Sequence, residues 1–131
     1  MGLIYLDSCI VIYVAEKIPR WRAALAEAMA AETDAQFAIS PLVMMECLVG
    51  PLRSGNRELE TDYRAAFADF TMVAISEAVF LAAAAVRARS GLKTPDALHL
   101  ACAQRHDCTS LWTADQRLSV AGGKLVRVLA P

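Results

Sequence analysis

The sequence predicts an α/β sandwich, a parallel sheet of about five strands covered by helices on both faces. Three observations lead there. Five short runs of apolar and β-branched residues are spread along the chain, helical segments separate them, and all of this fits within 131 residues. Alternating strands and helices imply right-handed crossovers that lay the helices over the sheet. A chain of this length makes one domain more readily than two, so residues 1–131 are read as a single unit.

Each element has its own signal. Leu3-Ile4-Tyr5-Leu6 is a fully apolar run of strand length. Ser8 is placed to cap a helix running to about Lys17, which Pro19 ends. Trp21 to Glu32 is a second, alanine-rich helix, and Gln36 to Ile39 a second strand. Ser40-Pro41 puts a hydroxyl at the N-cap and proline at the first helical position, opening a helix to about Leu52. Glu58 to Phe70 is amphipathic, with Leu59, Tyr63, Phe67 and Phe70 near one face. Thr71 to Ile75 is the third strand. Ser76 opens a helix from Glu77 to about Ser90, closed by Gly91. Thr94-Pro95 repeats the hydroxyl–proline start and launches Asp96 to His106. Ser110 to Thr113 is strand-like, Asp115 to Val120 a short helix, and Lys124 to Leu129 the last strand.

Composition narrows the function classes. The hydrophobic fraction is 56% and the mean hydropathy +0.38, but 25 of those residues are alanines, which favour helix and close packing. The longest apolar run, Ala78 to Val86, has nine residues, against the ~20 that a spanning helix needs. No membrane association is expected, nor a signal peptide, because Asp7 breaks the first apolar run and no basic leader precedes it. Cys9, Cys47, Cys102 and Cys108 lack the spacing of a zinc knuckle and read as small hydrophobes in a reducing cytoplasm. The net charge of −1 argues against binding nucleic acid through bulk basicity.

Four carboxylates stand out by position. In parallel sheets the active site lies at the carboxyl ends of the strands. Asp7 directly follows the first strand, and Asp115 lies two residues after the fourth. Asp96 sits in the first turn of the Thr-Pro helix and Glu46 in the second turn of the Ser-Pro helix. Taken singly, Asp7 is also explained as a helix cap, Asp96 as a favourable charge at a helix start, and Asp115 as a turn former. Glu46 is different: it interrupts Leu42-Val43-Met44-Met45 and Cys47-Leu48-Val49, with no Lys or Arg from Ala23 to Leu52. A buried carboxylate needs a partner, and a metal is the simplest one in view.

Convergence of all four would be costly. At an effective dielectric of ~20, two carboxylates 4 Å apart repel by about 4 kcal/mol; six such pairs exceed the ~5–15 kcal/mol stability of a domain. A divalent cation relieves this, and an all-oxygen set suits Mg²⁺ or Mn²⁺ rather than zinc. Such a site activates water and shields the charge of a phosphodiester.

Four stretches then match a known pattern in order: Leu3-Ile4-Tyr5-Leu6-Asp7-Ser8, Ile39-Ser40-Pro41-Leu42-Val43-Met44-Met45-Glu46, Thr94-Pro95-Asp96-Ala97-Leu98-His99-Leu100-Ala101, and Thr113-Ala114-Asp115. Across essentially the whole chain the sequence resembles the PIN-domain ribonucleases, and among them the VapC-type toxins of bacterial toxin–antitoxin pairs. The resemblance implies a three-layer α/β/α sandwich, Mg²⁺-dependent RNA cleavage (Mn²⁺ as substitute), and inhibition by a small cognate antitoxin resembling VapB. It makes the chain the toxin of a type II pair, a cytoplasmic homodimer that arrests translation and growth. Residue by residue, it makes Asp7, Glu46, Asp96 and Asp115 catalytic, with Asp7, Asp96 and Asp115 on the metal and Ser8 and Thr113 supporting. Glu46 is expected to orient the attacking water, as a general base if its apolar setting raises its pKa. Two departures stand out. Cys9 occupies a place where many members carry Asn, and Gln116-Arg117-Leu118 supply no fifth acid.

His99, one turn after Asp96, reads as a packing or supporting histidine rather than a ligand, and His106 as a favourable charge at a helix end. Arg20 with Arg22, Arg53 with Arg57 and Arg64, and Arg87 with Arg89 and Lys93 read as solvated faces or as RNA phosphate contacts. Trp21, Tyr63, Phe67 and Phe70 read as core, or as a groove for a partner helix. Two other classes compete. A haloacid dehalogenase-type phosphotransfer enzyme also places an Asp after its first strand, but Cys9 stands where it needs a second acid. A PIN-like interaction module without metal is the non-enzymatic alternative.

Overall fold

A computed structural model describes residues 2–131. Five parallel strands form one sheet: β1 (Gly2–Leu6), β2 (Ala35–Ile39), β3 (Thr71–Met72), β4 (Ser110–Thr113) and β5 (Val126–Val128), in the order β3-β2-β1-β4-β5. Between them run α1 (Ser8–Ala15), α2 (Pro19–Ala30), α3 (Pro41–Ser54), α4 (Arg57–Phe67), α5 (Glu77–Ser90), α6 (Thr94–Arg105) and α7 (Gln116–Gly122).

The chain leaves β1 in one direction to build β2 and β3, then returns to build β4 and β5 on the other side of β1. Right-handed crossovers running in opposite directions put their helices on opposite faces. Accordingly α1 packs with α2, α3 and α4, while α5 packs with α6 and α6 with α7. The α/β/α sandwich expected from the sequence is the fold. The reversal places the topological switch point between the carboxyl ends of β1 and β4, where such sheets bind ligands.

Three strands and α5 match their sequence limits within a residue. The third strand is shorter than expected, two residues instead of five. It lies at the sheet edge, and the Ala74 carbonyl accepts from His106 Nε2 (2.7 Å) instead of continuing the ladder. That bond also gives His106 a definite role at the end of α6. The last strand starts later than expected because residues 123–125 form a 3₁₀ turn. The caps differ too. Of the two residues the sequence offers as the cap of α1, Asp7 takes the place rather than Ser8, and Lys93, not Thr94, precedes α6.

The core is built on Tyr5, Leu6, Ile10, Ile39, Leu111 and Trp112, all fully buried or nearly so. Phe37 meets the Trp112 ring edge-on at 5.4 Å, and the Arg127 guanidinium lies 4.9 Å from its centroid. Trp21, Tyr63 and Phe67 belong to this core rather than to a partner groove. Trp21 stacks on Tyr13 at 4.5 Å, and the Tyr63 hydroxyl donates to Glu16. Phe70 packs against the core from a partly buried position. The four thiols are free, and Cys47, Cys102 and Cys108 are buried. No described helix is long and apolar enough to cross a membrane.

Candidate active site

The site begins with Asp7, the first residue beyond β1, whose N–H donates to the Trp112 carbonyl (3.0 Å) and so continues the pairing with β4. That pairing sets Asp7 beside Thr113. Its carboxylate is only 6% exposed, so its oxygens need donors. Oδ1 accepts from the Ser8 N–H (2.7 Å) and Oδ2 from the Thr113 hydroxyl (2.7 Å). Thr113 Oγ1 also accepts the Asp115 N–H (3.1 Å), which ties the start of the β4–α7 turn to Asp7. Ser8 therefore supports Asp7 mainly through its backbone; its hydroxyl is 3.4 Å away. Cys9 Sγ lies 3.6 Å from Asp7 Oδ2. Burial and the Asp7 charge push this thiol up to about 12, so it stays protonated and can donate. The cysteine thus fills the position of a small polar residue with a weak donor.

Glu46 projects from α3 toward the same end of β1, and its partner is a histidine. His99 Nε2 lies 2.6 Å from Glu46 Oε1 and 3.6 Å from Asp7 Oδ1. The expectation that a metal is the simplest partner for Glu46 is corrected by this contact. No cation from residues 23–52 is needed, because α6 supplies one donor from across the sheet edge. The expected raised pKa is corrected as well. Burial pushes the Glu46 carboxyl up, but the hydrogen bond and attraction of His99 outweigh it, leaving the group below its ordinary value.

Behind His99 the polar chain continues inward. His99 Nδ1 lies 2.7 Å from the Tyr5 hydroxyl, which lies 2.7 Å from Ser40 Oγ. All three side chains are buried. A carboxylate only accepts, so Nε2–H donates to Glu46. Burial holds Tyr5 far above its ordinary pKa, so it keeps its proton. The Tyr5 and Ser40 hydroxyls share the innermost bond of the chain. Ser40 makes no cap bond to α3; its hydroxyl is spent on this chain. Sequence reasoning gave neither Tyr5 nor Ser40 a site role. A signal for Tyr5 existed, since residues two apart on a strand share a face and Tyr5 stands two before Asp7.

The four acids do not converge equally. Asp7, Glu46 and His99 offer ligand atoms that all lie within 4.8 Å of one another. Asp96 and Asp115 are outside this cluster, though electrostatically joined to it. Burial, then the charges of Asp7 and Asp115, hold the Asp96 carboxyl above its ordinary value. Asp115 is held below its ordinary value by Arg117, whose Nη2 lies 2.6 Å from Oδ2 and whose Nε lies 3.1 Å from both oxygens. Where a fifth acid would stand, the chain places a cation.

A divalent metal fits this donor set. Asp7 and Glu46 bring carboxylate oxygens within 4.8 Å of one another and of a His99 nitrogen, and Asp96 stands close enough to feel the charges of Asp7 and Asp115. The sequence is matched by the model of the PIN domain over residues 4–124. The chain belongs to the PIN domain family. No curated protein matches it in sequence. Among solved structures, it is similar to a toxin–antitoxin complex from Klebsiella pneumoniae, with 30% identity over 95% of this chain and 96% of that one and a TM-score of 0.77. VapBC2 from Rickettsia felis, bound to a promoter DNA fragment, has 14% identity over 96% and 98%, with TM-score 0.82. VapC20 from Mycobacterium tuberculosis, a sarcin-ricin loop cleaving toxin, has 17% identity over 95% and 98%, with TM-score 0.73. These last two are likenesses of fold. Membership of the PIN family sets aside the haloacid dehalogenase-type reading.

Proposed function

We propose that this PIN-domain protein is a metal-dependent endoribonuclease and the toxin of a type II toxin–antitoxin pair. The carrying observation is the buried Asp7 carboxylate at the switch point, clustered with Glu46 and His99 and electrostatically coupled to Asp96. Family membership and the likeness to a toxin–antitoxin complex support the toxin reading. Its partners are then an RNA substrate, a small antitoxin resembling VapB, and a second copy of the chain, in the cytoplasm.

Asp7, Asp96 and Asp115 would hold Mg²⁺, or Mn²⁺ in its place. A bound divalent ion would lower the pKa of water and shield the phosphodiester charge. The side chains do the rest. Thr113 and the Ser8 N–H fix the Asp7 carboxylate, so it needs no reorganisation to bind charge. His99 fixes Glu46 through Oε1, which holds the carboxylate in place to accept a hydrogen bond from a water and aim it. With its pKa lowered, Glu46 is ionised at neutral pH and acts in orientation more than as a strong base. Asp115 must exchange some of its bonding to Arg117 when a metal binds. Arg117, in place of a fifth acid, favours one ion over two.

The deciding experiment compares Asp7→Asn with the unaltered protein on total RNA, with Mg²⁺ and with chelator. Cleavage that needs both Asp7 and metal supports the reading. Cleavage retained by a clean Asp7→Asn preparation overturns the site, and absence of both metal binding and cleavage favours the interaction-module reading.

A further inference from the structure

A cleft of about 470 Å³ adjoins the acidic site. Its walls are the α5–α6 turn and α7. Arg89, Lys93 and Arg117 supply positive charge, Val120 an aliphatic surface, and Asp96 the edge shared with the acids. Three basic groups surround this concavity, Arg89 and Lys93 from the end of α5 and its turn and Arg117 from α7.

The cleft is built, not a gap between loose ends. Gly91 takes φ 74° to close α5, a backbone region that glycine enters without strain. Arg87 Nε donates to the Leu92 carbonyl (2.9 Å), and the Leu92 N–H donates to Ser90 Oγ (3.3 Å). Arg89 reaches across to α7, where Nη1 donates to the Ala121 carbonyl (3.3 Å), leaving its other donors free. Arg117 is held in place on Asp115. Lys93 ends the turn and is exposed. Val120 is 88% exposed, unusual for an apolar side chain without something to cover it.

We propose that this cleft is a subsite for one RNA nucleotide next to the cleaved linkage: Arg89 and Lys93 take its phosphate and Val120 packs against its ribose or base. The proposal rests on the ribonuclease reading and deepens it. The chemistry favours a nucleotide over a protein side chain, because the volume suits a small ligand of several hundred Å³. An anion seated there continues a strand whose neighbouring phosphate lies at Asp96. The opposed charges also set polarity along the path, since a phosphate without metal is repelled by Asp7 and Asp96 and drawn to the basic cleft. Net charge of −1 therefore conceals a local basic field.

The test is fluorescence anisotropy with a fluorescein-labelled single-stranded 12-mer RNA, in chelator so that nothing is cut, at several salt concentrations. Wild type is compared with Arg89→Ala, Lys93→Ala, the double variant, and Arg105→Glu at the far end of α6 as the charge control. The double variant is expected to bind on the order of tenfold more weakly and to lose about 0.7 from its log–log salt slope, the share of one phosphate contact on a single strand. Cleavage with Mg²⁺ is then expected to show a raised KM with kcat little changed, the mark of lost ground-state binding. Arg105→Glu is expected to match wild type in both. Unchanged affinity and slope in the double variant, while wild type still cleaves, overturns the subsite and leaves the ribonuclease reading intact. Wild type that neither binds nor cleaves RNA overturns both.

Discussion

Tyr5→Phe removes one oxygen and tests the chain that links the core to Glu46. Two hydrogen bonds of 2.7 Å end on that oxygen, one to Ser40 and one to His99. Both partners are buried, Ser40 at 0% and His99 at 1% exposure. Each loses its only bond at that atom, and no water can reach in to replace it. An orphaned buried polar group costs about 1–3 kcal/mol, so the two together should cost roughly 2–6 kcal/mol. That is a large part of the ~5–15 kcal/mol of a domain. With an unfolding entropy of ~2.1 cal/mol/K per residue, 1 kcal/mol corresponds to about 4 °C in a chain of this size. A fall in Tm of roughly 7–22 °C is therefore expected. The assay is urea unfolding by circular dichroism, with the midpoint lower and the slope unchanged. Tyr5→Phe combined with Ser40→Ala should cost less than the sum of the two, because the double change leaves no orphaned hydroxyl. A Tyr5→Phe protein within about 0.5 kcal/mol of wild type would refute the chain as a structural element.

Other outcomes follow from the same geometry. Asp96→Asn should stabilise the metal-free protein at neutral pH. The folded pKa of Asp96 is raised, so its ionisation erodes stability as pH rises from the unfolded value through the folded one, and the loss persists above. Difference curves of Tm between pH 3 and 7 check this; a flat difference contradicts it. Mg²⁺ or Mn²⁺ at 100 times Kd should stabilise wild type by about 2.7 kcal/mol, read by thermal shift, and should do so far less in Asp7→Asn. Thr113→Val should loosen Asp7 and Asp115 together, weakening metal binding by a measurable factor in calorimetry while the fold persists, because one hydroxyl serves both. Phe67→Ala should cost ~3–5 kcal/mol in urea unfolding, since Phe67 is core; a stable variant with weaker binding to an antitoxin would instead revive the groove.

Apolar runs of strand length and hydroxyl–proline helix starts were enough to read the α/β order, because those signals are local: strands and first turns are stabilised by residues adjacent in sequence. Asp7 and Asp115 were readable for the same reason, as residues that follow strands in a parallel sheet. What the residues could not show was which donors each acid would meet. Glu46 has no cation within 20 residues on its N-terminal side, yet it finds His99, 53 positions away. The pairing of α3 with α6 across the carboxyl edge of β1 is set by crossover handedness and the order β3-β2-β1-β4-β5, neither of which is written in any short stretch. The same holds for the length of β3, which depends on His106 reaching Ala74.

The sequence alone determined the alternation of elements, the positions of four acids and a net charge of only −1. Tertiary structure decided how those acids differ. Burial and proximity leave Asp96 raised, Arg117 holds Asp115 low, His99 lowers Glu46, and Thr113 fixes Asp7. It also gathered Arg89, Lys93 and Arg117 around one cleft. Electrostatic energy depends on distance and on the local dielectric, and both exist only once the chain has folded.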